Sequence, residues 1–266
     1  MTAGHRICWG GVLVLGGALV ATAQQPPAVS LSANPGRPSI STPATLTPVG
    51  CLQFQVGYLG AADSPEFSSQ SSINAVVNFS VTSRVELLVS SQPYARSHVE
   101  SQWTNEPGGV SLGIQGVIHR GEAAKPTIAV SYFHQIYGGN APNLDIGNAT
   151  NNLLILASGD LKDFHYDTNL FFNEVVKNPI RRAQFGQSLS ISHPLGKNFG
   201  ITGEIWHFSQ PFLQSNAVGT LWAWNYNVKK NLVLDGGFNR GLTTTSTQWE
   251  AFVGFTYLLP YKIRLR

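Results

Sequence analysis

The chain has 266 residues, with 17 lysines and arginines against 14 aspartates and glutamates, and only 12% of its residues are charged. Hydrophobic residues reach 42% and aromatics 11%, which excludes a disordered chain despite the low charge. A net charge of +3 without a lysine-rich or arginine-rich stripe leaves nothing to track a phosphate backbone, so no nucleic-acid partner is expected.

Residues Met1–Ala23 have the form of a secretory signal peptide. His5 and Arg6 give a short basic start, Ile7–Val20 is an apolar run, and Ala21-Thr22-Ala23 offers a small-residue cleavage site before Gln24. The run is shorter than the ~20 residues that a membrane-spanning helix needs. Cys8 would leave with the signal, so Cys51 would be the single cysteine of the mature chain and no internal disulfide could form. Residues 24–49 follow as a Pro/Ser/Thr-rich segment, with NPGRPSIS at Asn34–Ser41 and TPATLTP at Thr42–Pro48. Prolines at that spacing forbid a helix or a central strand. Two readings stay open: a flexible leader, or a segment packed against the body with Arg37 as its anchor.

Residues 50–259 read as strands without a helix between them. Cys51–Leu59 alternates Leu52, Phe54, Val56 and Tyr58 with Gln53, Gln55 and Gly57. Ile73–Val81 and Arg84–Gln92 form a hairpin around Thr82-Ser83. Val110–His119, Thr127–Tyr137, Leu153–Ser158, Phe164–Asn173 and Gln184–Ser192 continue the series. Gly200–Phe208, Val218–Tyr226, Leu232–Asn239 and Gln248–Leu258 complete it. At roughly eight to eleven residues, most of these strands are long enough to cross a bilayer at a tilt. Leu153–Ser158 is shorter and apolar on both faces.

The connections alternate in length, odd ones such as Pro93–Gly109 and Gly138–Asn152 exceeding even ones such as Thr82-Ser83. A membrane barrel has short turns at one end and long loops at the other, and a soluble sandwich has no reason to keep that order. Charge placement agrees. Arg84, Glu86, His119, His165, Asp167, Glu204, Asp235 and Glu250 share a phase with the polar or small residues, while the opposite phase is apolar near the strand centres. That dry face carries Tyr58, Tyr132, Tyr166, Trp222, Trp224, Tyr226, Trp249 and Tyr257, expected as a girdle toward the strand ends. The expected fold class is therefore all-β, an antiparallel transmembrane up-and-down β-barrel of about twelve strands. Arg84, Glu86, His165, Asp167, Glu204, Asp235 and Glu250 would line a narrow, mostly acidic lumen favouring cations or neutral solutes. A salt-bridged interior that only stabilises the barrel is the other reading of the same charges. Residues 260–266 form a basic tail after a closing strand in which Ala251, Val253, Phe255, Tyr257 and Leu259 alternate.

Four stretches, NPGRPSIS, TPVGCLQFQVGY, SRVELLVS and GVSLGIQGVI, together resemble a bacterial outer-membrane family named for the meta pathway of phenol degradation, or a related transporter family. In Gly108-Gly109-Val110, Gly109 stands where that family commonly has an acidic residue after glycine. The resemblance implies an outer-membrane channel or transporter for small solutes, hydrophobic or aromatic ones among them.

Catalytic and metal signatures are not legible. His134 with Ser131, and His193 after Ser190 and Ser192, lack a glycine-flanked serine elbow and an orienting third group. The seven histidines show no metal-ligand spacing, and GYLGAA and GGFNRG precede no helix that could cradle phosphate. No enzyme activity, cofactor or metal is expected. The expected partners are outer-membrane lipids and lipopolysaccharide, the barrel-assembly machinery and a small solute. The alternatives are a non-transporting structural or surface-binding barrel and, further off, a secreted soluble β-sandwich.

Overall fold

A computed structural model describes residues 31–122, 125–142, 144, 149–177 and 179–263. The signal peptide reading, the start of the leader and the end of the basic tail lie outside these residues. The strands are β1 (Cys51–Ala62), β2 (Ser69–Ser80), β3 (Val85–Val99), β4 (Gln102–Glu106), β5 (Val110–His119), β6 (Thr127–Tyr137) and β7 (Ala149–Leu161). They continue as β8 (Phe164–Lys177), β9 (Ile180–Pro194), β10 (Phe199–Phe208), β11 (Ala217–Lys229), β12 (Leu232–Gly241) and β13 (Trp249–Lys262).

Every pairing is antiparallel, strands adjacent in sequence pair with each other except β4 with β5, and β1 pairs with β13 to close the sheet. Strand β4 pairs only with β3 and extends that hairpin, so the closed wall has twelve strands. Closure removes the sheet edges and leaves no ladder hydrogen bonds unmet in a medium without water.

All twelve predicted strands are present, most of them longer than their alternating runs. Leu153–Ser158 is the middle of the 13-residue β7. Several connections shrink in consequence. The connection expected at Glu174–Ala183 is mostly ladder, with Val175 opposite Arg182 and Lys177 opposite Ile180. Strand β4 was not anticipated, because QWTNE is too short and too polar to carry a period-two signal.

The burial pattern is the reverse of a soluble domain. Gln53, Gln115, Asn169 and Asn239 are at most 1% exposed, while Leu112, Ile114, Ile118, Ile205 and Val253 are each more than 45% exposed. Polar side chains fill the interior and apolar ones cover the outside, which is how a barrel in lipid must be arranged. The eight aromatics of the dry face do lie outside, but several are not at strand ends. Tyr58, Tyr132, Trp222 and Trp224 fall well inside β1, β6 and β11, Tyr132 and Trp222 at the middle of their alternating runs.

Candidate functional site

The lumen is not empty. Residues 33–49 enter beside the β11–β12 turn, where Ala33 N–H donates to Lys230 O, rise into the barrel, cross it, and return to the start of β1. At the return, Gly50 N–H donates to Ser80 O and Ile263 N–H donates to Gly50 O. Of the two open readings of the leader, the structure has the packed one for this stretch. Ser41 and Ala44 are fully buried and Thr47 nearly so.

A chain without regular secondary structure inside a barrel must satisfy each backbone group individually. Pro35, Pro38, Pro43 and Pro48 bring no N–H at all, which shortens the list of donors to be met. Inward side chains of the wall meet many of the rest. Gln53 pairs with the backbone of Asn34 in both directions, at 2.8 and 2.7 Å. Asn169 does the same for Thr42, at 2.5 and 2.9 Å. Gln55 Oε1 accepts from Gly36 N–H at 2.9 Å and Arg37 N–H at 3.2 Å. Ala44 N–H donates to Ser158 Oγ at 2.7 Å, and Gln115 Nε2 donates to Pro43 O at 3.0 Å.

Three inward carboxylates make the charged contacts. Glu204 accepts from Ile40 N–H at 2.8 Å, Ser41 N–H at 2.7 Å and Ser41 Oγ at 2.6 Å. Glu86 accepts from Thr47 N–H at 2.9 Å and Thr47 Oγ1 at 2.5 Å, with Asn78 and Ser80 of the wall completing its shell. Asp235 forms an ion pair with Arg37 at 3.1 Å. The Arg37 guanidinium rests over Gly57 and Gly254, which stand opposite each other in the β1–β13 register. A methyl group at Gly57 would overlap it, so these two glycines are the flat seat on which the arginine lies. The apolar side of the segment is also used: Ile40 packs against both buried clusters, one around Trp206, Phe208 and Phe171, the other around Leu221 and Phe252.

The remaining residues expected in the lumen divide by depth. Asp167 is buried, accepts from Ser158 Oγ at 2.5 Å and lies 3.3 Å from His165 Nε2. His165 is near the β7–β8 turn and its Nδ1 is 2.7 Å from Asp160, an exposed rim residue. Glu250 is half-buried at the other end of the barrel, opposite Ala61 and Asn239. Arg84 departs from the expectation: it lies exposed in the β2–β3 turn and donates to Ile118 O at 3.2 Å. Its phase matched Glu86, but the strand begins only at Val85, so it stands outside the lumen. Sequence reasoning passed over Gln53, Gln55, Gln115 and Ser158 as partners, because an uncharged inward residue looks the same whether it meets water or a chain.

Two cavities are lined by described residues of the lumen. One of about 330 Å³ lies between the segment and the β1–β8 side of the wall. One of about 390 Å³ lies toward the opposite end, and both are lined by Val76, Ser90 and Asn152. Beside the second lie two residues that follow β6: Gln70 Nε2 donates to Pro142 O at 2.9 Å, and Leu144 packs on the cluster containing Leu59 and Phe252.

Among solved structures, the chain is similar to an outer membrane channel from Pseudomonas putida F1, at 13% identity with a TM-score of 0.60, over 85% of this chain and 99% of that one. It is also similar to the NanC porin, at 9% identity and TM-score 0.53, over 80% of this chain and 100% of that one. The KdgM porin aligns at 12% identity and TM-score 0.53, over 76% of this chain and 98% of that one. At such identities the likeness is one of fold. No family model and no curated protein matches the sequence. The resemblance read from the sequence is therefore met at the coarser level, that of the barrel fold.

Proposed function

We propose that this protein is an outer-membrane channel for small, uncharged or weakly polar solutes, held closed by its own N-terminal segment. The observation that carries this reading is the segment itself. It fills the lumen through hydrogen bonds to Glu86, Glu204 and Asp235, inside a wall whose outer face is apolar. The three carboxylates are engaged by the segment, so they do not present the free acidic lining that would favour cations. The fold of the channel and porins described above supports the same reading. Residues 1–23 would direct export, the apolar belt would meet lipid and lipopolysaccharide, and insertion would use the barrel-assembly machinery. Hydrophobic or aromatic solutes, which the family resemblance implies, fit the Phe133, Leu154 and Phe171 surface of the inner cavity.

Planar-bilayer recording tests it. The intact mature chain should conduct weakly or intermittently, and a chain lacking residues 31–46 should conduct continuously. A truncated chain that assembles and still shows no conductance would refute transport and favour the structural barrel.

A further inference from the structure

At the end of the barrel that carries the β1–β2 and β12–β13 connections, two arginines lie over tryptophan rings on the outer face. The Arg240 guanidinium is 4.4 Å from the ring of Trp249, and that of Arg96 is 4.6 Å from the ring of Trp103. Both tryptophans are more than half exposed, and Trp103 also packs on His98 at 4.9 Å. The two pairs bracket one row of the sheet. Arg240 stands opposite Trp249, Trp249 opposite Ala62, Ala62 opposite Ser69, Ser69 opposite His98, and His98 opposite Trp103. Residues directly opposite across a ladder share a face, so the whole row is on the outside with its tryptophans. Strands β13 and β3 are three strand spacings apart, about 14 Å. Across that width the ends of β1 and β2 present only Gly60, Ala62, Ser69 and Ser71 outward, a low floor between two arginine-bearing ridges.

Neither arginine takes part in an ion pair among the described residues; those pairs are made by Arg37, His165 and Arg181. Arg240 Nη1 donates to Gln248 O at 2.7 Å and Gln248 Oε1 at 2.8 Å, which holds the fork in place without neutralising it. A ring beneath a guanidinium does the same. A fixed, unneutralised guanidinium fork matches a phosphate, which it can bind through two parallel hydrogen bonds. Tryptophan beside it is the residue of the lipid headgroup level. We propose that this surface binds the phosphorylated sugar headgroup of an outer-leaflet glycolipid, lipopolysaccharide in a bacterial envelope, with Arg96 and Arg240 holding phosphates at the two sides of the floor. A zwitterionic phospholipid brings a single phosphate and its own cation, and so meets one arginine at most. The proposal rests on the outer-membrane reading above, which turns the long connections outward, and is independent of transport.

The test uses native mass spectrometry of the intact mature chain, refolded in detergent free of lipopolysaccharide and titrated with diphosphorylated lipid A. The same lipid with its phosphates removed is the comparison. The phosphorylated form should bind at least about tenfold more tightly, a factor that one charge-assisted hydrogen bond can produce. Arg96→Gln with Arg240→Gln should abolish that preference, and each single variant should reduce it, which keeps the test available where the double variant does not assemble. Lys162→Gln with Lys197→Gln, in the turns at the opposite end, should leave it unchanged. Inorganic phosphate and pyrophosphate, added at the concentration of the lipid, should not displace it. Equal binding of the two lipids, an undiminished preference in the assembled arginine variants, loss of preference in the lysine variant, or displacement by the free anions would overturn the proposal. Heat-modifiable gel mobility, measured before lipid is added, separates the two readings. A chain that never shows it refutes the membrane barrel, whereas a folded barrel without phosphate preference refutes the site alone.

Discussion

Replacing Glu204 by glutamine probes what holds the segment in place. The carboxylate accepts three hydrogen bonds from Ile40 and Ser41, at 2.6–2.8 Å. A hydrogen bond to a charged group is worth about 1.5–3 kcal/mol. Glutamine can place its carbonyl where Oε1 stands and keep both bonds from Ser41, but it then turns an amide donor toward Ile40 N–H, so at least one bond is lost. At the low end this removes about 1.5 kcal/mol from the docked state, shifting the docked-to-released ratio roughly tenfold. A cysteine at position 44 reports the release, because Ala44 is fully buried and its anchoring bond to Ser158 is made by the backbone. Reaction of Ala44→Cys with a water-soluble maleimide should therefore accelerate at least about tenfold in the Glu204→Gln background. Cys51, buried at the start of β1, serves as the slow internal reference. Equal labelling rates in the two backgrounds, with the barrel assembled, would refute the assignment of Glu204 as a holding residue.

Gly57→Ala should release the segment by a different route, since the added methyl displaces the Arg37 guanidinium from its seat. The same thiol reporter should react faster in that variant, and an unchanged rate would show that Arg37 is not needed for docking. The two faces of β3 can be compared at adjacent residues: Val89 is 39% exposed on the outer face and Ser90 lines both cavities. Val89→Arg should cost about 2–4 kcal/mol in lipid and lower assembly yield, whereas Ser90→Arg should assemble normally, as judged by heat-modifiable gel mobility. Trp206→Phe should lower the temperature of that mobility shift. It leaves the buried Asn239 Oδ1 without the indole N–H donating to it at 2.8 Å, at a cost of about 1–3 kcal/mol.

How far the sequence reached can be followed residue by residue. Ile73, Ala75, Val77 and Phe79 against Ser72, Asn74, Val76 and Asn78 determine which face of β2 is dry, because the side-chain period of a strand is two. The same alternation, repeated in most strands and combined with unequal connections, was enough for a closed antiparallel wall of twelve strands. Its limits appear at strand ends. Arg84 kept the phase of Glu86 yet sits in a turn, since phase carries no information on where the ladder stops. Strands β8 and β9 run on through a stretch read as a loop, because their cross-strand partners stabilise residues with no alternating signal of their own.

The site was less legible than the wall. Arg37, Glu86, Glu204 and Asp235 could be picked out one by one as charges in an apolar chain. Their joint use could not be, because Arg37 and Asp235 are 198 positions apart and Ser41 and Glu204 are 163 apart. An inward carboxylate has the same sequence context whether it faces water or a backbone N–H. What the sequence determined by itself is the local periodicity, hence the fold and the sign of each face. What only tertiary structure decided is the occupant of the lumen, since barrel closure alone brings carboxylates from β3, β10 and β12 around one proline-rich segment short of hydrogen-bond donors.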